Sequence, residues 1–465
     1  MISPVTSHPD TATLLGWIEE IVSWGVRRPC TPADETAIEW IAAKFESFGL
    51  QDVHLEPLDV LLWSCESAGL ELRRSDDPAT TQFIEGFALP YCSPTRGVTA
   101  SIAQLDRQPV DGAIAWEEVD LITLPGPVMR ALASEAVDPD ESFDVLTQTY
   151  PFSSRAIDLL GPIAEQGAVG FVGILNDGFW DTNQYYVPYD AVPRQIPGIW
   201  ISPSDGARFL EMAHSGAVTA KLTVEAGMTM GESANVVGIL PGASDDWIVI
   251  GTHHDAPWAS AVEDASGIAM LLAQAAAWAA VPQDARPHNL LFVATAAHMA
   301  GGAGTAAFIG EHRDQLQSVV CEVHLEHVAK ASRVEEGRLI PLDPPEVRWW
   351  FTSPNPALQG LVVDSLKAEK IDRSLLMHPE IFGTHPTTDG GYFHLEGVPL
   401  VNLLSAPRYL FDPGDTIEMI HTESLAPLTR AVSRIIQGLG AHTPDSMRAG
   451  IDPSPPPRLP VKFGR

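Results

Sequence analysis

From residue 235 onward the chain alternates short apolar runs with Ala-rich segments, and this alternation constrains the fold more than any other feature. The runs are rich in Val, Ile and Leu, as strands buried on both faces are. Five runs have this character: N-V-V-G-I-L (235–240), W-I-V-I-G-T (247–252), N-L-L-F-V-A-T (289–295), V-C-E-V-H-L-E (320–326) and V-P-L-V-N-L-L (398–404). The pattern predicts an α/β fold with a mostly parallel sheet covered by helices on both faces.

Polar residues occur at the ends of four of these runs. They are His253 and Asp255; His298 and Met299; His324, Glu326 and His327; and Arg408, Asp412 and Asp415. The carboxyl ends of parallel strands share one edge of a sheet, and α/β proteins bind their ligands at that edge. One histidine at a strand end is usually structural. Histidines or carboxylates at three strand ends favour a metal site or an acid–base site.

The first 230 residues differ from this pattern. Residues 11–49 are typical of two helices, the second starting near Thr31 and ending at Gly49. In 64–230, short β-like pieces alternate with turns and prolines, which predicts a separate β-rich domain. Its aromatic segment, 179–189, is more typical of a packed loop than of a pocket wall. We predict a discontinuous catalytic domain (1–63 and 231–445), an insertion (64–230) and a proline-rich tail (446–465).

The composition excludes several classes of function. The 465 residues carry a formal net charge of −32, so the chain lacks the basic surface that nucleic acids or an anionic membrane require. We find no apolar run of about 18 residues that would span a membrane, and no signal peptide at the N-terminus. Four scattered cysteines are typical of reduced thiols in a cytoplasmic protein. The partner that we expect is therefore a small-molecule substrate. A homo-oligomer is possible as well.

Several motifs resemble the M28 family of zinc peptidases, in the branch with an inserted protease-associated (PA) domain that includes glutamate carboxypeptidases and the transferrin receptor. L-D-V-L-L (58–62) resembles the entry into the insertion, Q-G-A-V-G (166–170) its central strand, and S-A-N-V-V-G-I-L (233–240) the return to the catalytic domain. G-T-H-H-D (251–255), E-D-A-S-G (263–267) and T-D-G-G-Y-F-H-L-E-G-V-P (388–399) resemble the site motifs. The resemblance covers most of the chain and implies the family's phosphorylase/hydrolase-like α/β fold.

The resemblance also implies roles for individual residues around a first metal ion. His253 occupies the position of a metal ligand, and Asp255 that of the carboxylate that orients this histidine. Glu263 stands at the position of the ligand that bridges two zinc ions, where the family normally has Asp, and Asp264 is the alternative one residue later. Glu326 stands where the family has an Asp ligand. One of the family's two metal positions is therefore retained.

The ligands of the family's second zinc ion are replaced. Where the family has a general base followed by a Glu ligand, this chain has His298 followed by Met299; where it has a last His ligand, this chain has Phe411. A thioether and a phenyl ring do not hold a borderline dication in water. We therefore expect one divalent ion (zinc, iron or manganese), and not the two-zinc site of an ordinary aminopeptidase. The predicted ligands are His253, Glu263 and Glu326.

These replacements point to a changed reaction. We predict that His298 is the general base, with a fourth metal ligand as the second interpretation. Met299 and Phe411 would contact a small, partly apolar substrate. Arg408, Arg155 or Arg194 would bind an anionic group of it. The predicted function is hydrolysis of an amide-like or C–N bond in a small substrate rather than a peptide. The alternatives are a metal-dependent lyase or mononuclear iron enzyme, and an inactive pseudopeptidase that acts as a binding module.

Overall fold

The computed structural model describes residues 5, 7–76, 79–153, 160–452 and 454. Arg155 and most of the predicted tail lie outside this part of the chain. Its α-helices are α1 Thr11–Ser23, α2 Pro32–Phe48, α3 Gly126–Leu132, α4 Leu160–Glu165, α5 Pro203–Ser215, α6 Gly267–Ala279, α7 Ala303–His312, α8 Pro356–Glu369, α9 Gly390–Leu395, α10 Thr422–Leu439 and α11 Pro444–Ala449.

The strands of the described residues are β1 Gln51–Arg74, β2 Thr81–Glu85, β3 Phe87–Ala88, β4 Thr95–Gln104, β5 Ile114–Val119, β6 Thr123–Pro125, β7 Glu135–Val137, β8 Thr147–Thr149, β9 Gly170–Leu175, β10 Gly198–Ile201, β11 Val218–Leu240, β12 Trp247–His253, β13 Asn289–Thr295, β14 Val319–Leu325, β15 Lys330–Glu335, β16 Arg338–Pro345, β17 Arg348–Thr352, β18 Ser374–Met377 and β19 Leu400–Leu404.

The predicted α/β architecture is confirmed. Four strands pair in parallel in the spatial order β13, β12, β14, β19, with antiparallel strands β11 and β17 on either side. Side chains of a strand alternate between the two faces of the sheet. In β12, Ile248 and Ile250 pack into the core that includes α1, α2, α6 and α10, whereas Val249 packs with Phe308 of α7 and Phe393 of α9. Helices therefore cover both faces of this sheet.

Local sequence signals explain where helices begin and end. The side chain of Thr31 accepts a hydrogen bond from N of Asp34 at the start of α2, Pro32 fills the first helical position, and Gly49 ends the helix with φ 85°. Both predicted ends of this helix are confirmed. The Ala/Leu-rich α6 is buried along most of its length, which explains why it lacks a polar face.

Two long antiparallel strands connect the parallel sheet to a second sheet. β1 and β11 pair from Gln51↔Ile239 to Arg74↔Val218, so the predicted boundaries at 63/64 and 230/231 fall inside continuous strands. Beyond them, β4, β5, β9 and β10 form a second parallel group. Part of this region returns to the first sheet, because β7 pairs with β18. The chain between β1 and β11 is thus joined to the first sheet through these two strands and, at the opposite edge, through the pairing of β7 with β18.

The carboxyl ends of β12, β13, β14 and β19 meet at one edge. In the register, His253 lies opposite Thr295, Gly251 opposite His324, and His324 opposite Asn402. The polar residues that follow these strands can therefore converge. Among the described residues, none of the helices has the length and apolar character needed to cross a lipid bilayer.

Candidate metal centre

Two histidines and a glutamate bring their side chains together at this edge. His253 ends β12, Glu263 lies in the turn before α6, and His327 follows β14 by two residues. Nε2 of His253 lies 3.3 Å from Oε1 of Glu263, and Nε2 of His327 lies 2.6 Å from Oε2. All three side chains are buried, and one potential ligand atom from each lies within 4.8 Å of the others. Their spacing is that of ligands around one ion.

The four polar atoms at the centre of this group make no hydrogen bond of acceptable geometry. They are Nε2 of His253, Nε2 of His327 and both carboxylate oxygens of Glu263, and all are shielded from solvent. A buried polar atom without a partner costs about 1–3 kcal/mol, so four of them at one point are unfavourable unless another group binds them. Two imidazole nitrogens and a carboxylate form one of the ligand sets of catalytic zinc sites. The residues therefore fit a divalent ion.

Electrostatic interactions keep this group charged. Burial opposes the ionisation of Glu263, but the two histidines lower its pKa below the ordinary value. Burial likewise disfavours the imidazolium forms, yet Glu263 raises the pKa of His327 to about 9 and raises that of His253 well above 6.5. A dication binds imidazole in its neutral form and displaces the proton. The ionised carboxylate is thus ready to bind a cation.

The backbone of Glu263 is held from two directions. Asp415 accepts hydrogen bonds from the amides of Val262 and Glu263, both at 2.8 Å. Nη2 of the buried Arg27 donates to the carbonyl oxygens of Ser260 at 2.9 Å and Glu263 at 3.3 Å. These contacts fix the turn that points the Glu263 carboxylate at the two histidines.

Asp264, the alternative ligand, is engaged within the loop. Its carboxylate accepts hydrogen bonds from Oγ1 of Thr252, from N of Gly267 at 3.2 Å and from N of His327 at 3.4 Å. A Cβ atom at position 267 would lie 2.1 Å from Oδ2 of Asp264, so this close approach requires glycine. The geometry therefore favours Glu263 over Asp264 as the ligand.

Asp255 acts differently from the prediction. Nδ1 of His253 bonds to the backbone oxygen of Asp255 at 3.0 Å, while the Asp255 carboxylate lies 3.8 Å from that nitrogen. The carboxylate accepts instead from the amides of His298 at 2.9 Å and Met299 at 2.8 Å. Asp255 thus orients His253 through its backbone and fixes the turn after β13 through its side chain.

Glu326, predicted as a metal ligand, lies outside the group of close ligand atoms, and its role stays a prediction. Its Oε1 is 2.9 Å from Nε2 of His324, whose Nδ1 is 2.9 Å from Glu322. Alternate residues of a strand share a face, so these three side chains form a row along β14. His327 has a positive φ of 64°, which interrupts the alternation and turns its side chain to Glu263. Residue 327, not 326, completes the group of close potential ligand atoms.

His298 stacks on His253, with ring centroids 4.1 Å apart. Its Nδ1 lies 2.8 Å from Oδ1 of Asp389, and Oδ2 of Asp389 accepts from two buried threonine hydroxyls. Burial opposes the ionisation of Asp389, but His298 lowers its pKa far below the ordinary value. The ionised carboxylate of Asp389 therefore accepts a hydrogen bond from Nδ1–H of His298. Burial and the charge of His253 oppose the protonation of His298, but Asp389 raises its pKa above 6.5. In the neutral form, Nε2, which lies 4.0 Å from Oε1 of Glu263, carries the lone pair.

A cavity of about 390 Å³ opens beside this histidine. The segment that follows β13 and the segment between β18 and β19 form one wall, and the segment around Tyr189 forms the other. The lining residues are Phe152, Val187, Pro188, Tyr189, Asp190, His298, Gly301, Gly302, His385, Thr387, Thr388, Asp389 and Tyr392. The aromatic segment 179–189, predicted to be a packed loop, thus contributes its last three residues to a pocket wall.

Met299 and Phe411, predicted as substrate contacts, are not among the residues that line this cavity, and their role stays a prediction. Met299 is fully buried in the apolar core. Phe411 packs between Phe152 and Tyr189, at centroid distances of 5.1 and 5.0 Å. They lie behind the cavity wall and make that side of the site apolar.

The described arginines that were predicted to bind an anion are already bonded. Arg408 donates to the backbone oxygen of Gly178 and to Oγ1 of Thr149, both at 3.1 Å. Arg194 pairs with both carboxylate oxygens of Asp190 at 2.6 Å. Arg408 is not a lining residue of this cavity, and its role as a substrate contact stays a prediction.

Two residues of the site were missed for different reasons. Asp389 stands in the T-D-G-G segment (388–391) that carried the family resemblance, and a histidine without an orienting carboxylate could have directed attention to it. His327 follows Glu326 directly, and the side chain of His327 is the one that turns toward Glu263. No residue pattern indicates that residue 327 adopts a positive φ.

One part of the chain matches a known family in sequence. Residues 235–436 match the sequence model of peptidase family M28, and no curated protein matches the chain in sequence.

Among solved structures, the fold is similar to a peptidase M28 precursor from Shewanella amazonensis (19% identity, TM-score 0.71, 98% of this chain and 97% of that one). It is also similar to an aminopeptidase from Aneurinibacillus sp. strain AM-1 (18%, 0.64, 99% and 99%). A third is BSAP, a zinc aminopeptidase from Bacillus subtilis (17%, 0.65, 92% and 95%). At such identities the likeness shows a common fold over nearly the whole chain.

Proposed function

We propose that the protein is a metal-dependent hydrolase that cleaves an amide bond, because residues 235–436 match the sequence model of peptidase family M28. The observation that carries the proposal is the buried group of His253, Glu263 and His327, whose four central polar atoms lack hydrogen-bond partners. These residues would hold one divalent ion. When bound, such an ion polarises a carbonyl oxygen and lowers the pKa of water.

We propose one ion rather than two because, in the part of the chain that the structure describes, one group of close potential ligand atoms is found. The residues at the matching positions, Met299 and Phe411, are buried among apolar side chains. Zinc is favoured as the ion by the zinc aminopeptidase among the similar structures. Non-haem iron enzymes also use two histidines and one carboxylate, so metal analysis is needed to distinguish the two.

His298 supplies the proton transfer in this proposal. His298 lines the cavity with its Nε2 4.0 Å from Oε1 of Glu263, while Asp389 holds Nδ1 and thereby fixes the tautomer. The oxygen of a water molecule bonds to the amide carbon, and one water proton passes to Nε2. That proton then passes to the amide nitrogen as the C–N bond breaks. The products are a carboxylic acid and an amine, and His298 returns to its neutral form.

The cavity and the similar structures together suggest the substrate class. A volume of about 390 Å³ suits a short peptide or a comparable small amide, and the printed names of the similar structures are those of peptidases and aminopeptidases. These similarities give no support to a substrate that is unlike a peptide, and they do not favour a lyase, an iron enzyme or an inactive binding module. We further propose that 64–230 is a PA-type insertion that closes the cavity through Tyr189.

Metal analysis coupled to activity tests the proposal. We expect about one zinc ion per chain by mass spectrometry on protein purified without a metal-affinity tag, and hydrolysis of some members of a panel of amino-acid and dipeptide 4-nitroanilides. Chelation should abolish activity and zinc should restore it. Two tightly bound ions per chain would overturn the single-ion site. A zinc-loaded protein that hydrolyses nothing in the panel, with unchanged binding of a phosphonamidate dipeptide after chelation, would overturn the hydrolase.

A further inference from the structure

Tyr189 connects the insertion to the reaction chemistry. It lies in the loop between β9 and β10, far in sequence from the M28 domain, yet it lines the same cavity as His298 and Asp389. Its ring centroid lies 5.4 Å from that of His298 and 5.0 Å from that of Phe411. The ring is therefore fixed between the proton-transferring histidine and the apolar side of the site.

The phenol of Tyr189 has no acceptor among the described residues, unlike most tyrosine hydroxyls of the chain. Five of the seven tyrosines bond to a protein acceptor: Tyr91 to O of Leu61, Tyr150 to the sulfur of Met129, Tyr185 to O of Pro151, Tyr392 to O of Gly301 and Tyr409 to O of Lys330. The other phenol without such a partner belongs to Tyr186, whose ring stacks with the guanidinium of Arg28 outside the cavity lining. Tyr189 alone combines an unbonded hydroxyl with a place in the cavity wall.

The electrostatic surroundings suit a neutral hydrogen-bond donor. Burial raises the pKa of Tyr189 well above 10, and the negative charges of Glu263, Glu326 and Asp389 raise it further. The phenol therefore keeps its proton at neutral pH.

The proposed reaction needs a donor in this direction. Attack of water on an amide carbon moves negative charge onto the carbonyl oxygen, and donors already positioned at that oxygen are often the largest single contribution to catalysis. Met299 and Phe411 carry no charge with which to stabilise it. A neutral phenol beside the apolar wall can do so without having to be desolvated during the reaction.

We propose that Tyr189 is a catalytic residue that donates a hydrogen bond from Oη to the substrate carbonyl oxygen as charge develops on it. The inference rests on the hydrolase function proposed above. It gives the insertion a chemical role, because the M28 domain alone would lack this donor.

Substitution of Tyr189 by Phe, with Tyr186→Phe as the matched control, tests this role. Both variants remove one hydroxyl that lacks a protein partner, so neither should change the thermal midpoint or the zinc content. We expect Tyr189→Phe to lower kcat about 100-fold or more with KM little changed, and Tyr186→Phe to leave both near the wild-type values. A phosphonamidate dipeptide, which mimics the tetrahedral oxyanion, should bind Tyr189→Phe weaker by a similar factor.

The outcomes separate this inference from the function on which it rests. A wild-type protein that hydrolyses an amide while Tyr189→Phe hydrolyses it equally fast would overturn the role of Tyr189 and leave the hydrolase standing. If the wild type hydrolyses nothing in the panel, the phosphonamidate decides. Equal affinity of the wild type and Tyr189→Phe then overturns the donor, whereas a selective loss in Tyr189→Phe supports it.

Discussion

The two sides of Glu263 differ sharply in chemistry. On one side, His253 and His327 present buried nitrogens without hydrogen-bond partners. At the positions that match the second set of ligands, Met299 and Phe411 belong to a closely packed apolar core. Unpaired polar atoms are costly, whereas apolar packing stabilises a fold without any ligand. In the proposed single-ion site, one half would depend on a bound ion and the other half would be structural.

Removing His327 should have the largest effect, because it takes away one of three ligands. We expect His327→Ala to lose its zinc at submicromolar free metal and to lower kcat/KM more than about 1000-fold, since a Lewis acid contributes several kcal/mol. Glu326→Gln is the matched control on the adjacent residue, and it should keep the ion. Metal content by mass spectrometry and amide hydrolysis measure both.

The reverse result would restore the ligand set expected from the family resemblance. If Glu326→Gln released the ion while His327→Ala retained it, Glu326 would be the ligand. The row of Glu322, His324 and Glu326 would then have to rearrange when the metal binds.

A charge placed on the apolar side should destabilise the fold. Met299→Glu buries a carboxylate without a partner, which we expect to lower the free energy of unfolding by about 3 kcal/mol or more. Met299→Leu keeps the volume and apolar character and should cost less than about 1.5 kcal/mol. Urea denaturation of both variants measures the difference. Equal stabilities would mean that water or a cation reaches this side and that the two halves are less distinct than proposed.

The sequence predicted the sheet and half of the site for identifiable reasons. Buried parallel strands have near-continuous apolar runs, so the strands that end at His253, Thr295 and Leu404 were recognisable. A short motif placed Glu263 in the turn that follows. His327 was missed because one backbone angle decides whether residue 326 or 327 faces the metal. Tyr189 was assigned to a packed loop because contacts between the insertion and the sheet leave no local pattern.

Loss of the Asp389 carboxylate should have an intermediate effect. In Asp389→Asn, a neutral amide replaces the charged acceptor of the hydrogen bond from Nδ1 of His298. The imidazole can then adopt the tautomer that carries its proton on Nε2. Substitutions of such orienting partners cost about 10- to 100-fold, and we expect this loss in kcat with the zinc content unchanged. The double variant Asp389→Asn/His298→Ala should be no slower than His298→Ala alone, because both act on one imidazole. Additive losses would show that Asp389 acts independently of His298.

An ordinary His–Glu pair elsewhere in the chain provides a reference for the metal group. Nε2 of His312 lies 2.6 Å from Oε1 of Glu56, the same separation as between His327 and Glu263, but here the two groups form a hydrogen bond and remain partly exposed. The bond to Glu56 raises the pKa of His312 above 6.5, and, against the effect of burial, His312 lowers the pKa of Glu56 below 4.5. The pair should stabilise the fold without any ion.

The pH dependence of this pair follows from the two shifts. The His312 contribution is fully present below pH 6.5 and is lost as the pH rises through the raised pKa; the Glu56 contribution is present above pH 4.5 and is lost as the pH falls through the lowered pKa. A double-mutant cycle with His312→Gln and Glu56→Gln should give about 0.5–1 kcal/mol at pH 5.5 and less at pH 9. The same values with and without a chelator are expected. A chelator-dependent coupling would mean that this pair also binds metal, and the contrast between an ordinary His–Glu pair and the group around Glu263 would be lost.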